Sequence, residues 1–306
     1  LLTQAGSLVL TRHPQHGLLT GTTLGKVADT YTYSTFGELA TYQASHGAAP
    51  LLATTYTRDA LGRITQKVET IGGVTETYDY SYDPAGRLTD VTTNGRNAAH
   101  YEYDGNGNRS SVTRPGSGTV AGTYDAQDRL TSYGAVTYTY TANGDRRTAT
   151  SGGDTTTYTY DAFGNLTAVV LPNGTTIAYV LDGSNRRIGK KVNGGLTQGF
   201  LYSNQLRPAA ELDGSGAVVA RFVYGTRINV PDYMIKGGST YRLLTDHLGS
   251  VRLVVDTATG AIAQRLDYDE FGQITQDTNP GFQPFGFAGG LYDPDTKLTR
   301  FGARDL

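Results

Sequence analysis

One ten-residue phrase recurs along this chain and limits what the rest can be. Its fullest form is Tyr158-Thr-Tyr160-Asp161-Ala-Phe-Gly164-Asn-Leu166-Thr167. Two tyrosines two apart share one face of an extended strand. Asp161 and Gly164 hold the first and fourth places that a type I turn favours. Leu166 then opens a returning strand. An overlooked repeat misassigns a whole fold, so the copies come before any catalytic motif.

The aspartate, or its replacement, falls at Ser34, Asp59, Asp83, Asp104, Asp125, Thr141, Asp161 and Asp182, mostly about 21 residues apart. Gly62, Gly86, Gly107 and Gly164 close four of these turns. The copy at Asp125 carries Asp128 where glycine is expected. Midway between copies lie Gly72-Gly73, Asn94-Gly95, Gly152-Gly153, Asn173-Gly174 and Asn193-Gly194. These dipeptides accept the positive φ that two-residue hairpin turns require. Each repeat therefore reads as two strands. Between turns, Ile64, Gln66 and Val68 alternate with Thr65, Lys67 and Glu69, a period of two. No amphipathic helix is apparent. The predicted fold is all-β: a long antiparallel hairpin ribbon, curling because a sheet of so many strands must twist. Packing of the tyrosine ladder between neighbouring repeats is the expected source of stability.

After Tyr202 the spacing loosens. Asp246-His247-Leu-Gly249 and Asp269-Glu-Phe-Gly272 keep the turn spacing, and Tyr292-Asp293-Pro294 echoes it. The chain thus divides into a repeat segment, 1–235, and a diverged segment, 236–306.

Few chemistries survive inspection. The chain lacks cysteine, which excludes disulfides and thiolate metal sites. A net charge of -2 gives no sign of a polyanion-binding surface. Neither a signal peptide nor an apolar run long enough for a membrane span is visible. Opening at Leu1, the sequence reads as a piece of a longer protein. Asp246-His247 could serve acid–base chemistry, but its spacing is that of the recurrent turn. Asp104-Gly-Asn106-Gly-Asn108 imitates a calcium loop, yet Arg109 and Pro115 stand where glycine and glutamate are needed. Gly183 to Lys190 misses the phosphate-loop spacing by one residue, and Lys191 stands where a hydroxyl is needed. Arg186, Arg187, Lys190 and Lys191 read as a solvated face rather than a nucleic-acid patch. The five histidines show no metal-ligand spacing. No cofactor, metal or nucleic acid is expected.

The tyrosine–aspartate repeats resemble those of the Rhs/YD-repeat family, which includes bacterial polymorphic toxins, toxin-complex C subunits and teneurins. The segment Asp246-His-Leu-Gly249-Ser-Val-Arg-Leu-Val-Val-Asp256 resembles the signature of the Rhs repeat-associated core. Phe287-Ala-Gly-Gly-Leu-Tyr-Asp293-Pro through Arg304-Asp-Leu306 resembles its continuation, with a bacterial look. Lys297 departs from that pattern, where glycine is usual.

The resemblance implies a ribbon spiralling into part of a hollow shell. It also implies a core, 236–306, truncated here at its C-terminal end. Its implied partners are a C-terminal toxin effector, the remaining shell and secretion or delivery proteins, in a secreted or cell-surface setting. Many members cut the effector free with an aspartyl autoprotease. Arg304 matches the arginine upstream of that cut, in a role open only to a full-length parent. The Asp-Pro pair and the catalytic aspartates are absent, so no enzyme activity is expected of this chain. Two other readings stand beside the shell: a secreted or surface module binding carbohydrate or protein, and an incomplete autoprotease.

Overall fold

Five residues explain why the chain reverses where it does. In Asp83 to Arg87, the Gly86 N–H donates to the Asp83 carbonyl at 2.9 Å, and the Asp83 N–H donates to the Arg87 carbonyl at 3.0 Å. The Asp83 carboxylate accepts from the Arg87 N–H at 2.9 Å and from its side-chain Nε at 2.7 Å. Gly86 sits at φ +83°, a left-handed conformation that costs glycine little. The result is a type I turn followed by a bulge, and the strand register shifts between Ser81 and Tyr82.

The same hydrogen-bond frame recurs at Asp59–Gly62, Asp104–Gly107, Asp161–Gly164, Asp246–Gly249 and Asp269–Gly272. Asp128 and Asn185 take the glycine position at φ +58° and +60°, as short polar side chains tolerate best. In the copy at Thr141 the hydroxyl accepts from the Asp145 N–H in place of a carboxylate. The midway turns at Gly72, Asn94, Gly152 and Asn193 have both central φ values positive. Asn173-Gly174 differs. There the Gly174 N–H donates to the Leu171 carbonyl, forming the wider bulged turn with leucine in the aspartate place.

The computed structural model describes residues 1–306. Its strands begin with β1 (Gln4–Ala5), β2 (Leu8–Arg12), β3 (Leu19–Leu24), β4 (Val27–Tyr33), β5 (Leu39–His46) and β6 (Ala49–Arg58). The repeats continue as β7 (Ile64–Ile71), β8 (Val74–Tyr82), β9 (Leu88–Thr93), β10 (Arg96–Tyr103), β11 (Arg109–Arg114), β12 (Gly118–Tyr124), β13 (Leu130–Tyr133), β14 (Val136–Tyr140), β15 (Arg146–Ser151) and β16 (Asp154–Tyr160). Then come β17 (Leu166–Val170), β18 (Thr176–Leu181), β19 (Arg187–Val192), β20 (Gly195–Tyr202), β21 (Pro208–Asp213), β22 (Val218–Val223), β23 (Tyr233–Lys236), β24 (Ser239–Thr245), β25 (Val251–Asp256), β26 (Ile262–Tyr268) and β27 (Ile274–Asp277). A 3-10 turn at Phe287–Gly289 precedes β28 (Leu291–Asp293), β29 (Leu298–Phe301) and β30 (Arg304–Asp305).

Two compact units share these strands. One comprises residues 33–43 and 50–158, the other 1–32, 44–49 and 159–306. In the first, β6 to β16 pair each with the next, all antiparallel. Val91, Ala99, Tyr101 and Val112 form its core cluster, flanked by Tyr80, Tyr103 and Tyr133. On β7 the buried residues are Glu69 and Ile71. Lys67 on that face pairs with Glu69 at 3.7 Å and lies 4.1 Å from the Tyr78 ring centroid.

In the second unit β17 to β27 form a continuous meander. Strands β1 to β4 form a shorter one. Its main core gathers Phe222, Met234, Leu243, Val254, Leu266 and Phe285. A second cluster joins Leu8, Leu10 and Leu24 to Tyr233. Arg242 fastens the two meanders. Its guanidinium donates to Asp29 at 2.8 Å and to Thr22 Oγ1 at 3.1 Å, and it is buried with both.

Several repeats are tied to the one before through the tyrosine that immediately precedes the turn. The Tyr82 hydroxyl donates to the Ile64 carbonyl at 2.7 Å, Tyr103 to Leu88 at 2.8 Å, Tyr140 to Leu130 at 2.7 Å and Tyr202 to Arg187 at 3.0 Å. The arginine that closes the preceding turn lies over the same ring: Arg63 on Tyr82, Arg87 on Tyr103, Arg129 on Tyr140 and Arg186 on Tyr202. The ladder is therefore apolar packing combined with cation–π stacking and a fixed hydroxyl.

A candidate site beneath the C-terminal segment

Beyond β27 the chain leaves the meander. Prolines at 280 and 284 disfavour ladder pairing, and the segment folds back over the strands of its own unit. Phe285 packs edge-on against Phe222, with centroids 4.9 Å apart. Phe282 meets Tyr241 similarly at 5.1 Å. Lys236 donates to the Phe282 carbonyl at 2.6 Å. Strands β28, β29 and β30 then make a small separate sheet.

That sheet is fastened to β18 and β19 by buried charge. Lys190 is bonded to Asp293 and, at 2.5 Å, to Asp295. The Tyr179 hydroxyl donates to Asp293 Oδ2 at 2.6 Å. Burial and the neighbouring Asp293 carboxylate push the Tyr179 phenol well above its ordinary pKa. Arg187 donates to Asp305 at 2.7 Å, and Arg300 donates to the other Asp305 oxygen at 2.8 Å. Arg300 also donates to the Asn185 carbonyl at 2.9 Å. Arg187 lies over the Tyr179 ring, 3.4 Å from its centroid. Burial, and then the like charge of Arg187, hold the Arg300 guanidinium below its ordinary pKa. Each charge has an opposite partner, as burial demands.

This corrects the reading of Arg186, Arg187, Lys190 and Lys191 as a solvated face. Arg187 and Lys190 are buried, at 4% and 7% exposure. Only Lys191 is exposed, and Arg186 pairs with Asp182 at 2.6 Å within its turn. Their partners Asp293 and Asp305 lie more than 100 positions away. No local spacing could announce them.

The other sequence candidates are placed as follows. The Asp246 carboxylate accepts from the N–H groups of Leu248 and Ser250 at 2.9 and 2.8 Å. His247 is the second residue of that turn, and Arg227 donates to the carbonyls of Asp246 and His247. The Ser250 hydroxyl accepts from the Ala288 N–H at 3.1 Å, which seats the 3-10 turn on this hairpin. Arg304 is exposed on β30, beside the clamped Asp305. Asp104 spends its carboxylate on Asn106 and Asn108, and no group of three or more potential ligands that could hold a metal ion is present. Gly189 and Lys190 lie within β19, so no helix N-terminus is available there for a phosphate. Lys297 stands at φ +62°, the left-handed backbone that explains a preference for glycine at this place. No helix is long and apolar enough to cross a membrane.

Between this segment and the strands lies a cavity of about 890 Å³. Lys190, Glu211, Gln264, Phe285, Phe287 and Phe301 are among its walls.

Comparison with known proteins matches the Teneurin YD-shell family model to residues 1–306. Teneurin-4 of Mus musculus is 31% identical over 255 residues, covering 81% of this chain and 9% of that protein. Teneurin-1 of Gallus gallus is 32% identical over 234 residues, covering 74% and 8%. The tRNA3(Ser)-specific nuclease WapA of Bacillus spizizenii is 29% identical over 231 residues, covering 73% and 10%. The chain thus spans about a tenth or less of the length of these relatives. Among solved structures, the Tc holotoxin pore of Photorhabdus luminescens aligns over 98% of this chain and 19% of that one, with a TM-score of 0.52 and 16% identity. A TcdB2–TccC3 crystal structure aligns over 98% and 20%, with the same score and identity. At that identity the likeness is one of fold.

Proposed function

Since the chain belongs to the Rhs/YD-shell family, we propose that it is a stretch of shell wall whose parent encloses a C-terminal toxin effector and helps deliver it. The observation that carries this reading is the repeat frame itself. The aspartates that dominate the sequence are spent on turn N–H groups and on arginines. They are structural carboxylates rather than a catalytic pair. The 236–306 segment is proposed as the core that closes the wall, with Lys190, Arg187 and Arg300 holding it down. Secretion and a cell-surface or external destination belong to the same proposal, as does a role in competition between bacteria.

The arginine proposed for cleavage, Arg304, is exposed here. Self-cleavage is therefore assigned only to a parent that supplies the Asp-Pro pair and catalytic aspartates. The coding sequence beyond Leu306 tests the reading. An Asp-Pro-x-Gly segment followed by a domain unrelated to the repeats is expected. A continuation without either would overturn the toxin-enclosing role.

A further inference from the structure

The cavity beneath the C-terminal segment contains two buried acceptors that the protein does not satisfy. Glu211, on β21, is 8% exposed. Its Oε1 accepts from Gln198 Nε2 at 2.5 Å, while its Oε2 has no partner. Gln264, on β26, is 1% exposed. Its Nε2 donates to Asp277 Oδ1 at 2.9 Å and to the Asn279 carbonyl at 3.0 Å. That pair of acceptors fixes the amide orientation, because a flipped amide would place oxygen against two oxygens. Gln264 Oε1 is thereby left without a partner. Both residues line the cavity.

Unmatched buried polar atoms are rare, and each calls for an occupant. These two are acceptors, so the occupant must bring donors. One is a carboxylate oxygen, which favours a cationic donor. The lining does not provide one: Lys190 is committed to Asp293 and Asp295, and Lys297 is exposed and is not among the charges acting on Glu211. Lys236 acts on Glu211 only through its field, its amine being bonded to the Phe282 carbonyl. Burial pushes the Glu211 carboxyl above its ordinary pKa, as expected for a carboxylate lacking a close counter-charge. Phe271, Phe285, Phe287, Phe301, Pro280 and Pro284 give the wall an apolar, aromatic part, beside polar groups that include Asp277, Gln273 and Gln283. A volume of about 890 Å³ falls in the range of sites that hold small molecules or side chains.

We propose that this cavity binds an organic cation, a guanidinium or primary ammonium on an apolar arm, whose N–H groups donate to Glu211 Oε2, with Gln264 Oε1 as a further acceptor on the cavity wall. The arm lies against the phenylalanines. The cation can belong to a free small molecule or to an arginine or lysine side chain of a polypeptide.

Calorimetric titration of the 306-residue chain tests this with butylguanidinium, butylammonium, neutral butylurea and the peptide N-acetyl-Phe-Arg-Phe-amide. Both cations should bind at least tenfold more tightly than butylurea. Glu211→Gln keeps the shape and removes the charge, and should weaken cation binding tenfold or more, the scale of one charge-assisted hydrogen bond. A peptide at least tenfold tighter than butylguanidinium assigns the site to a polypeptide side chain; equal affinity assigns it to a free cation. Should Glu211→Gln fail to fold, the ¹³C carboxyl resonance of Glu211 in the unmodified chain replaces it, moving with butylguanidinium and not with butylurea. Absence of cation binding at millimolar concentration, equal binding of butylurea, undiminished binding to Glu211→Gln, or an unmoved Glu211 resonance would overturn the proposal and leave the cavity to water.

Discussion

Arg187 donates to Asp305 at 2.7 Å, with both side chains about 95% buried, and joins strand β19 to the last strand of the chain. Asp305 also holds Arg300, so one carboxylate compensates two guanidiniums. Asp305→Asn should destabilise the chain by about 3–5 kcal/mol, because it leaves buried cations short of charge. Replacing Arg187, Arg300 and Asp305 together by apolar residues of similar volume should recover most of that loss. Urea unfolding midpoints measure both. An Asp305→Asn loss under about 1 kcal/mol would show that the clamp is incidental.

The link between repeats is smaller and more exposed. Arg87 bonds Asp83 at 2.7 Å, donates to the Asp104 carbonyl at 3.2 Å and lies 4.8 Å from the centroid of Tyr103. Arg87→Ala should cost about 1 kcal/mol. Tyr103→Phe removes only the hydroxyl that donates to Leu88 and should cost a similar amount, about 1 kcal/mol. Denaturant titration of the two variants, compared with Lys191→Ala on an exposed position, separates the link from general surface effects.

Lys297 holds a left-handed backbone with its N–H on the Asp293 carbonyl at 2.8 Å. Lys297→Gly should therefore raise stability by about 0.5–1 kcal/mol, contrary to the usual penalty for glycine. Gly86→Ala, at φ +83°, should lower it by about 1 kcal/mol. Thermal unfolding of both variants shows whether the two shifts have opposite signs.

Stability should fall at both ends of the pH scale. The side-chain hydrogen bonds of Arg129 to Asp125 and of Arg186 to Asp182 hold those carboxyls below their ordinary pKa. The unfolded chain thus takes up these protons first. Their contribution is complete above about pH 4 and is lost as pH falls through the folded values. Burial pushes the Tyr202 phenol up to about 12. The folded chain keeps that proton longer, so stability declines from about pH 10 upward. Unfolding midpoints that stay flat between pH 3 and 7 would contradict the acid limb, and an unshifted tyrosine titration near pH 10 the alkaline one.

The repeat frame is legible in the sequence because it is local. Asp83 and Gly86 are three residues apart, and aspartate and glycine have their own reasons to sit there. Even the substitutions at Asp128 and Asn185 follow the same backbone rule. The turn at Asn173-Gly174 is legible but its wider type is not, because Leu171 has no side-chain oxygen to mark the aspartate place. The arginine stack on the next tyrosine spans about one repeat, and needs the register to be known first. The clamp is hidden more deeply. Arg186, Arg187, Lys190 and Lys191 fall within six residues, and such a cationic run reads as a wet face until Asp293 and Asp305 arrive from over 100 residues away. The unmet acceptors of Glu211 and Gln264 have no sequence signature at all.

On the proposed function, these repeats form a wall that screens an enclosed polypeptide. The direct measurement is limited proteolysis of the full-length parent, followed by mass spectrometry of the region downstream of Leu306. The account predicts that this region resists digestion in the intact protein. It also predicts that substitutions of Arg187 and Asp305 that loosen the clamp shorten its lifetime severalfold. A downstream region digested equally fast in the intact parent and after excision from the repeats would contradict the account.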